Sequence, residues 1–131
     1  MWGMKFMIIG IGCDIIEINR VVKAVAKEAF QKRVFTAEEI MYCQSRGKQA
    51  GKSFAARFAA KEAVLKALGT GLRGGALTEI EIVNDELGKP EVKLSGYHAA
   101  LAQKLGIACI HISLSHSNDF AMAYVVMEDG K

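Results

Sequence analysis

The stretch SFAARFAAKEAVLKALG, residues 53–69, decides the fold because it is a long run of residues that favour one helix. It is rich in Ala, Leu and Lys, and it contains no helix-breaking residue before Gly69. Glycine readily adopts the left-handed conformation that commonly ends a helix. The stretch therefore predicts a long helix over residues 53–68, with the other elements arranged around it.

Upstream of this helix, the pattern predicts a strand and a helix with a basic face. Residues 5–16, KFMIIGIGCDII, are apolar and β-branched, which is typical of a buried strand, and this strand should end near Asp14. From Ile18 onward apolar residues recur at helical spacing, while Arg20, Lys23 and Lys27 share another face of the same helix. An acid therefore ends the strand, and a basic helix follows it.

A second upstream helix is indicated by a capping box. Thr36 is followed three residues later by Glu39, so the helix should begin after Thr36 and run to about Arg46. The next segment, GKQAGK at residues 47–52, is predicted to be a flexible connector.

The pattern of the C-terminal half predicts a loop, a hairpin, a helix and two more strands. TGLRGG, residues 70–75, has too many glycines for a regular element. The predicted hairpin comprises residues 78–83 and 91–94. A helix that Ser95 begins is predicted to run to residue 105. The last two predicted strands are residues 108–115 and 120–127. Because no βαβ unit repeats, the predicted class is α+β with a mainly antiparallel sheet packed with helices.

Composition indicates one soluble domain over residues 1–131. The chain is 51% hydrophobic and 24% charged with a formal net charge of +3, which argues against disorder. It has no apolar run of the ~20 residues that a membrane span needs and no secretory-signal pattern, so we expect a cytoplasmic protein. The three cysteines form no C-x-x-C pair and predict reduced thiols rather than a zinc site or a disulfide frame.

The end of the long helix and the loop after it have the residue types of a phosphate site. Lys66, Gly69, Thr70, Gly71 and Arg73 offer cations, a hydroxyl and exposed backbone N–H groups. The alternative interpretation is a solvated helix face with weak intrahelical ion pairs.

Asp14 and Glu62 are candidate metal ligands. Each lies among apolar neighbours, where an ionised carboxylate needs compensation. Mg²⁺ commonly binds one or two protein carboxylates together with substrate phosphates. The alternative is that each acid pairs with a nearby lysine.

The histidines carry weaker signals. His116 lies at the end of a predicted strand, in the polar turn HSND, where a surface role is more common than a catalytic one. His98 and His111 have no recognisable partner in the sequence, so no role is assigned to them.

Three blocks together resemble the holo-acyl-carrier-protein synthase family, the small bacterial class of 4′-phosphopantetheinyl transferases. They are GIGCDIIEINRV at residues 10–21, RFAAKEAVLKALGTG at residues 57–71 and SLSHSNDFAMAYVV at residues 113–126. The resemblance spans nearly the whole chain in the right order. It departs from the family pattern in the extra N-terminal residues MWGMKF, whose Trp2 could pack on a neighbouring subunit, and in Cys13.

The resemblance implies transfer of 4′-phosphopantetheine from coenzyme A to a serine of acyl carrier protein, a reaction that supports fatty acid biosynthesis. It implies Mg²⁺ held by Asp14 and Glu62, and a homotrimer with active sites between subunits. Lys66 matches a lysine that contacts the diphosphate. The family's coenzyme-binding turn matches Gly69, Thr70 and Gly71. Its positions near coenzyme phosphates match Arg57, Lys61 and His116. Glu17, His116 or a metal-bound water would accept the serine proton.

The implied partner is acidic, so Arg20, Lys23 and Lys27 become a candidate docking face for acyl carrier protein. Its alternative is an ordinary solvated helix face.

Two other functions of the protein stay open. One is a broad-specificity carrier-protein transferase of secondary metabolism, although such enzymes are usually about twice as long. The other is a non-catalytic basic module that binds nucleic acid, which the mild charge disfavours.

Overall fold

The structure is a computed structural model that describes residues 6–130, so Trp2 and Lys5 lie outside the described residues. The helices are α1 (Ile18–Val25), α2 (Glu28–Val34), α3 (Ala37–Gln44), α4 (Ala50–Leu68) and α5 (Gly96–Leu105). The strands are β1 (Ile8–Glu17), β2 (Ile80–Asn84), β3 (Pro90–Leu94), β4 (Cys109–His116) and β5 (Phe120–Glu128). Short 3₁₀ turns, Gly47–Gln49 and Leu77–Glu79, precede α4 and β2.

The strands form two antiparallel sheets, which confirms the α+β prediction. One sheet has the order β1-β5-β4, and the other is the β2-β3 hairpin. Helix α4 packs across the inner face of the three-stranded sheet, and its alanines meet inward-facing residues of β5 such as Ala123 and Val125. None of the helices between residues 6 and 130 is both long enough and apolar enough to cross a bilayer.

Strand β1 lies directly on the backbone of α4 because two alternate residues of the strand are glycines. A Cβ atom on Gly12 would lie 2.0 Å from the Ala63 carbonyl oxygen, and one on Gly10 would lie 2.1 Å from the Ala67 carbonyl oxygen. Only glycine fits at these two positions. Side chains two residues apart on a strand share a face, so Asp14 also points towards α4.

A second core forms where α1, α2 and α3 cover the N-terminal half of α4. Val21, Val34, Phe35 and Phe54 are buried there, and the rings of Phe35 and Phe54 meet edge to face with centroids 5.1 Å apart. This core fixes the start of α4 relative to the strand that carries Asp14.

Several local predictions are confirmed. Gly69 ends α4 in the left-handed conformation with φ 81°. Thr36 and Glu39 form the predicted capping box, in which the Glu39 N–H donates to Thr36 Oγ1 over 3.2 Å and the Thr36 N–H donates to Glu39 Oε1 over 2.9 Å. Residues 70–75 are a loop, and β2 and β3 pair as a hairpin.

The prediction of a buried first strand is wrong. β1 is an edge strand, and Ile11 and Ile15 are 69% and 64% exposed. Only its alternate residues face α4, so the other apolar residues lie on the outer face of the sheet. The strand also continues to Glu17, which places Asp14 inside it rather than at its end.

Two further predictions about segment boundaries are wrong. Lys27 is not on the same helix as Arg20 and Lys23, because its backbone is extended (φ −94°, ψ 119°) and a new helix starts at Glu28. This change of direction lets both helices bury a face on the same core. GKQAGK is not a flexible connector: it forms a 3₁₀ turn and the first turn of α4, where Gly51 lies close to Val22 of α1.

Candidate active site

A cleft of about 490 Å³ opens beside the C-terminal half of α4 and brings together five of the predicted site residues. This carboxylate cleft is lined by Asp14, Glu62, Leu65, Lys66, Gly69, Gly71, Leu72 and Leu77. Its volume is in the range of small-molecule sites. A strand, a helix and the glycine-rich loop thus border one cleft.

Lys66 links the strand to the helix inside this cleft. Its Nζ lies 3.1 Å from Asp14 Oδ1 and donates to the Cys13 carbonyl oxygen over 2.9 Å. The Asp14 side chain is only 19% exposed, whereas that of Lys66 is 58% exposed. The alternative in which an acid pairs with a nearby lysine therefore applies to Asp14, and the lysine keeps an accessible charge at the cleft.

The surroundings of Glu62 disfavour its charged form. Burial, and secondarily the negative charge of Asp14, raise the pKa of Glu62 above its ordinary value, while Lys66 acts in the opposite direction. The two carboxylates therefore share a site with one lysine. Carboxylate oxygens around a partly buried space are the donors that a hard divalent cation prefers.

Thr70 and Arg73 belong to the loop without lining the carboxylate cleft. The Thr70 hydroxyl donates to the Gly71 carbonyl oxygen over 3.3 Å, and the Arg73 N–H donates to the same oxygen over 3.2 Å. Their contacts shape the turn that follows α4.

A second cleft, of about 500 Å³, carries a concentration of positive charge. The charged and aromatic residues of this basic cleft are Tyr42, Arg46, Lys52, Arg57, Lys89 and His116. They come from α3, the segment before α4, α4 itself, the hairpin turn and β4. Because most of these side chains are cationic, the cleft favours the binding of an anion.

Arg57 contacts two side chains at the basic cleft. Its guanidinium lies over the Tyr42 ring, 4.2 Å from the centroid, and its Nη2 donates to Asn84 Oδ1. Its Nε is buried and has no hydrogen-bond partner among residues 6–130. His116 lines the same cleft at the end of β4, which agrees with its predicted position at the end of a strand.

Lys61 lines neither of these clefts. Its side chain is fully buried, and its Nζ lies 2.7 Å from Glu39 Oε1 and donates to the carbonyl oxygens of Leu77 and Ile80. Burial lowers the pKa of Lys61, and the negative charge of Glu39 opposes that shift. The expectation that Lys61 contacts a coenzyme phosphate is therefore not supported by its position, and we give it a structural role instead.

The two clefts lie at opposite edges of the three-stranded sheet. Asp14 is on edge strand β1 and His116 on edge strand β4, with β5 between them. The register pairs Asp14 with Ala123 and His116 with Ala121.

The sequence missed partners and cleft residues that only the tertiary fold reveals. Tyr42 and Asn84 come from distant segments and hold Arg57 in place. The signal that could have indicated the basic cleft is the density of cations in residues 46–52. His98, which had no assigned partner, is buried with its Nδ1 2.9 Å from Glu79 Oε1.

The predicted docking residues are on the surface. Arg20 and Lys23 are exposed on α1, which begins directly after the strand that carries Asp14. Lys27 is exposed at the break between α1 and α2.

Comparison with known proteins agrees with the sequence blocks. The sequence profile of the 4′-phosphopantetheinyl transferase superfamily matches residues 10–125. The chain belongs to that superfamily. It is similar to holo-[acyl-carrier-protein] synthase of Ruminiclostridium cellulolyticum, with 49% identity over 123 residues that cover 92% of both chains. It is also similar to that of Trichlorobacter lovleyi, with 50% identity over 93% of this chain and 98% of the relative.

Solved structures give the same relationship. The holo-[acyl-carrier-protein] synthase of Neisseria meningitidis superimposes with a TM-score of 0.84 at 38% identity, covering 92% of this chain and 98% of that one. The synthase of Bacillus anthracis, solved in complex with CoA (3′,5′-ADP), gives a TM-score of 0.77 at 38% identity, covering 96% of this chain and 98% of that one. The family resemblance predicted from the three sequence blocks is confirmed.

Proposed function

We propose that this chain is a holo-acyl-carrier-protein synthase. It transfers 4′-phosphopantetheine from coenzyme A to a serine of apo acyl carrier protein and releases adenosine 3′,5′-bisphosphate. The observation that carries this proposal is the carboxylate cleft, where Asp14, Glu62 and Lys66 meet a glycine-rich loop in a chain whose relatives bear that name. We place the reaction in the cytoplasm, where it would serve fatty acid biosynthesis.

Mg²⁺ is the proposed cofactor, with Asp14 and Glu62 as its protein ligands. The donor set fits a hard cation, because two carboxylates line one cleft and the charge of Asp14 helps to raise the pKa of Glu62. When bound, the ion would neutralise charge on the coenzyme diphosphate and on the departing phosphate.

Lys66 supplies a second positive charge to the diphosphate. Its Nζ is held by the Cys13 carbonyl oxygen and by Asp14, so it is oriented before any ligand arrives. Such pre-oriented charge stabilises a phosphoryl-type transition state without reorganisation. The Gly69 N–H closes the helix by donating to the Leu65 and Lys66 carbonyl oxygens, so main-chain N–H donors for a phosphate would come from Thr70 and Gly71.

The basic cleft is proposed to hold a further phosphate of coenzyme A. Arg57 and His116 line it, and the Arg57 guanidinium is fixed by Tyr42 and Asn84. The sequence blocks resemble a family whose active sites lie between subunits, so we propose that each active site combines clefts from two copies.

The outer face of the three-stranded sheet supports assembly. Ile11, Ile15, Phe120 and Tyr124 are all exposed there, between 45% and 69%. A contiguous apolar face of this kind marks a protein interface. A homotrimer with closed cyclic symmetry would cover it and would pair each carboxylate cleft with a neighbour's basic cleft.

Acyl carrier protein is proposed to dock on the exposed basic residues that follow β1. Arg20 and Lys23 are on α1 and Lys27 is just beyond it. Docking there would bring an acidic partner to the strand that presents Asp14.

The test is to incubate the protein with apo acyl carrier protein, coenzyme A and Mg²⁺ and to follow the carrier by mass spectrometry. The proposal predicts an adduct of one phosphopantetheine per carrier, abolished by Asp14→Ala or Glu62→Ala. Glu28→Gln, which removes an exposed acid on α2, is the matched control and should leave transfer unchanged. Absence of the adduct with the wild-type protein, or full activity of either cleft variant, would contradict the proposal.

A further inference from the structure

Cys109, His111 and Glu128 come together on the three-stranded sheet, and none of them lines the carboxylate cleft or the basic cleft. The register places Cys109 directly opposite Glu128, and His111 follows Cys109 by two residues on the same face of β4. His111 Nε2 lies 2.7 Å from Glu128 Oε1. One thiol, one imidazole nitrogen and one carboxylate oxygen lie within 4.8 Å of one another.

We propose that Cys109, His111 and Glu128 form a zinc-binding site. Thiolate, imidazole and carboxylate are the three side-chain ligands that Zn²⁺ takes in proteins, and a thiolate disfavours the hard ions Mg²⁺ and Ca²⁺. Metal–ligand bonds of about 2.0–2.3 Å in a tetrahedral site put ligand atoms about 3.5 Å apart. Cys109 and His111 lie on the outer face of the sheet, at the end away from Phe120, and their side chains can supply the small contraction needed by rotating.

Zinc would bind the thiolate of Cys109 and the neutral imidazole of His111. Cys109 would release its proton to solvent on binding. His111 would bind zinc through Nε2, the nitrogen that already faces Glu128, and would keep its proton on Nδ1. The three ligands leave the fourth tetrahedral position to a water molecule.

Zinc bound at this site would stabilise one end of the three-stranded sheet. β4 begins at Cys109 and β5 ends at Glu128, so a bound ion would tie together two strands where they enter and leave the sheet. Strand ends are where local opening starts. Zinc should therefore raise the melting temperature and slow hydrogen exchange at this end of the sheet.

The first test is a zinc titration of the full chain against a chromophoric chelator. Wild-type protein should bind one zinc per chain, and Cys109→Ser and His111→Gln should each weaken binding by at least about tenfold. Cys13→Ser is the matched control, because Cys13 is a cysteine on β1 that lies outside the cluster. It should bind zinc like the wild type. Circular dichroism checks that each variant is folded.

The second test reads the thiol directly. Zinc should slow the alkylation of Cys109 by iodoacetamide and leave that of Cys13 unchanged, and Mg²⁺ should protect neither. Cobalt(II) should give a thiolate charge-transfer band that is present in Cys13→Ser and lost in Cys109→Ser. Equal zinc affinity in the wild type and Cys109→Ser would overturn the proposal, and so would an alkylation rate of Cys109 that is the same with and without zinc. Either result would leave a simple His111–Glu128 pair.

Discussion

Replacement of Lys61 by methionine should destabilise the protein severely, because it leaves a buried carboxylate without its cation. The Lys61 and Glu39 side chains are both fully buried, and their charged atoms are 2.7 Å apart. Methionine keeps much of the length of the side chain but cannot neutralise Glu39. Breaking a buried ion pair by removing one partner costs about 3–5 kcal/mol.

The pair also joins three parts of the fold, so the loss should be global. Lys61 Nζ donates to the carbonyl oxygens of Leu77 and Ile80, and Glu39 Oε2 accepts from the Ile82 N–H over 2.9 Å. Helices α3 and α4 and strand β2 therefore depend on the same two charges. Urea unfolding followed by circular dichroism, at one fixed protein concentration, measures the change.

Two control variants sharpen this measurement. Lys61→Met/Glu39→Gln removes both charges and should recover part of the lost stability. Lys32→Met breaks an exposed ion pair with Glu28 and should leave the free energy of unfolding unchanged. A Lys61→Met protein as stable as the wild type but with a raised KM for coenzyme A would refute the structural role and restore the predicted phosphate contact.

Four other predictions concern the strand, the site, the docking surface and the thiols. Gly12→Ala should destabilise the protein and reduce transfer, measured by urea unfolding and turnover, because its Cβ would lie 2.0 Å from the Ala63 carbonyl oxygen. Lys66→Ala should raise the KM for coenzyme A and lower kcat, since its charge serves both the ground state and the transition state; unchanged steady-state constants would remove it from the site. Arg20→Glu should raise the KM for acyl carrier protein, with wild-type affinity falling as salt screens charges beyond ~8 Å, while Lys104→Glu on α5 should not. Burial raises the pKa of Cys43 to about 11, so iodoacetamide at pH 8 should spare Cys43 in the folded protein and label it once the protein unfolds; rapid labelling of Cys43 in the folded protein would contradict its burial.

Features set by a few neighbouring residues could be predicted from the sequence. The capping box at Thr36 and Glu39 and the end of α4 at Gly69 depend on contacts within one turn. The meeting of Asp14 with Glu62 could be predicted as a hypothesis, because each acid needed compensation among apolar neighbours.

Features set by packing between distant segments could not be predicted. Lys61 has the same helical setting in sequence as Arg57, yet the hairpin and α3 bury its amine beside Glu39 while Arg57 reaches the edge of a cleft. β1 is apolar on both faces, and the chain alone does not indicate that one face lies outside the fold. The partner of His111 is on another strand and depends on the register of β4 against β5.

The active site shared between copies is tested most directly by mixing two inactive variants. Glu62→Gln disables the carboxylate cleft, and Lys52→Ala/His116→Ala disables the basic cleft; the two proteins are unfolded together, refolded as an equal mixture and assayed for phosphopantetheine transfer. If each site combines one cleft from each of two neighbours in a cyclic oligomer, random assembly should restore about one quarter of wild-type activity. If both clefts of a site belong to one chain, no intact site can form, and a mixture as inactive as its components would contradict the shared active site.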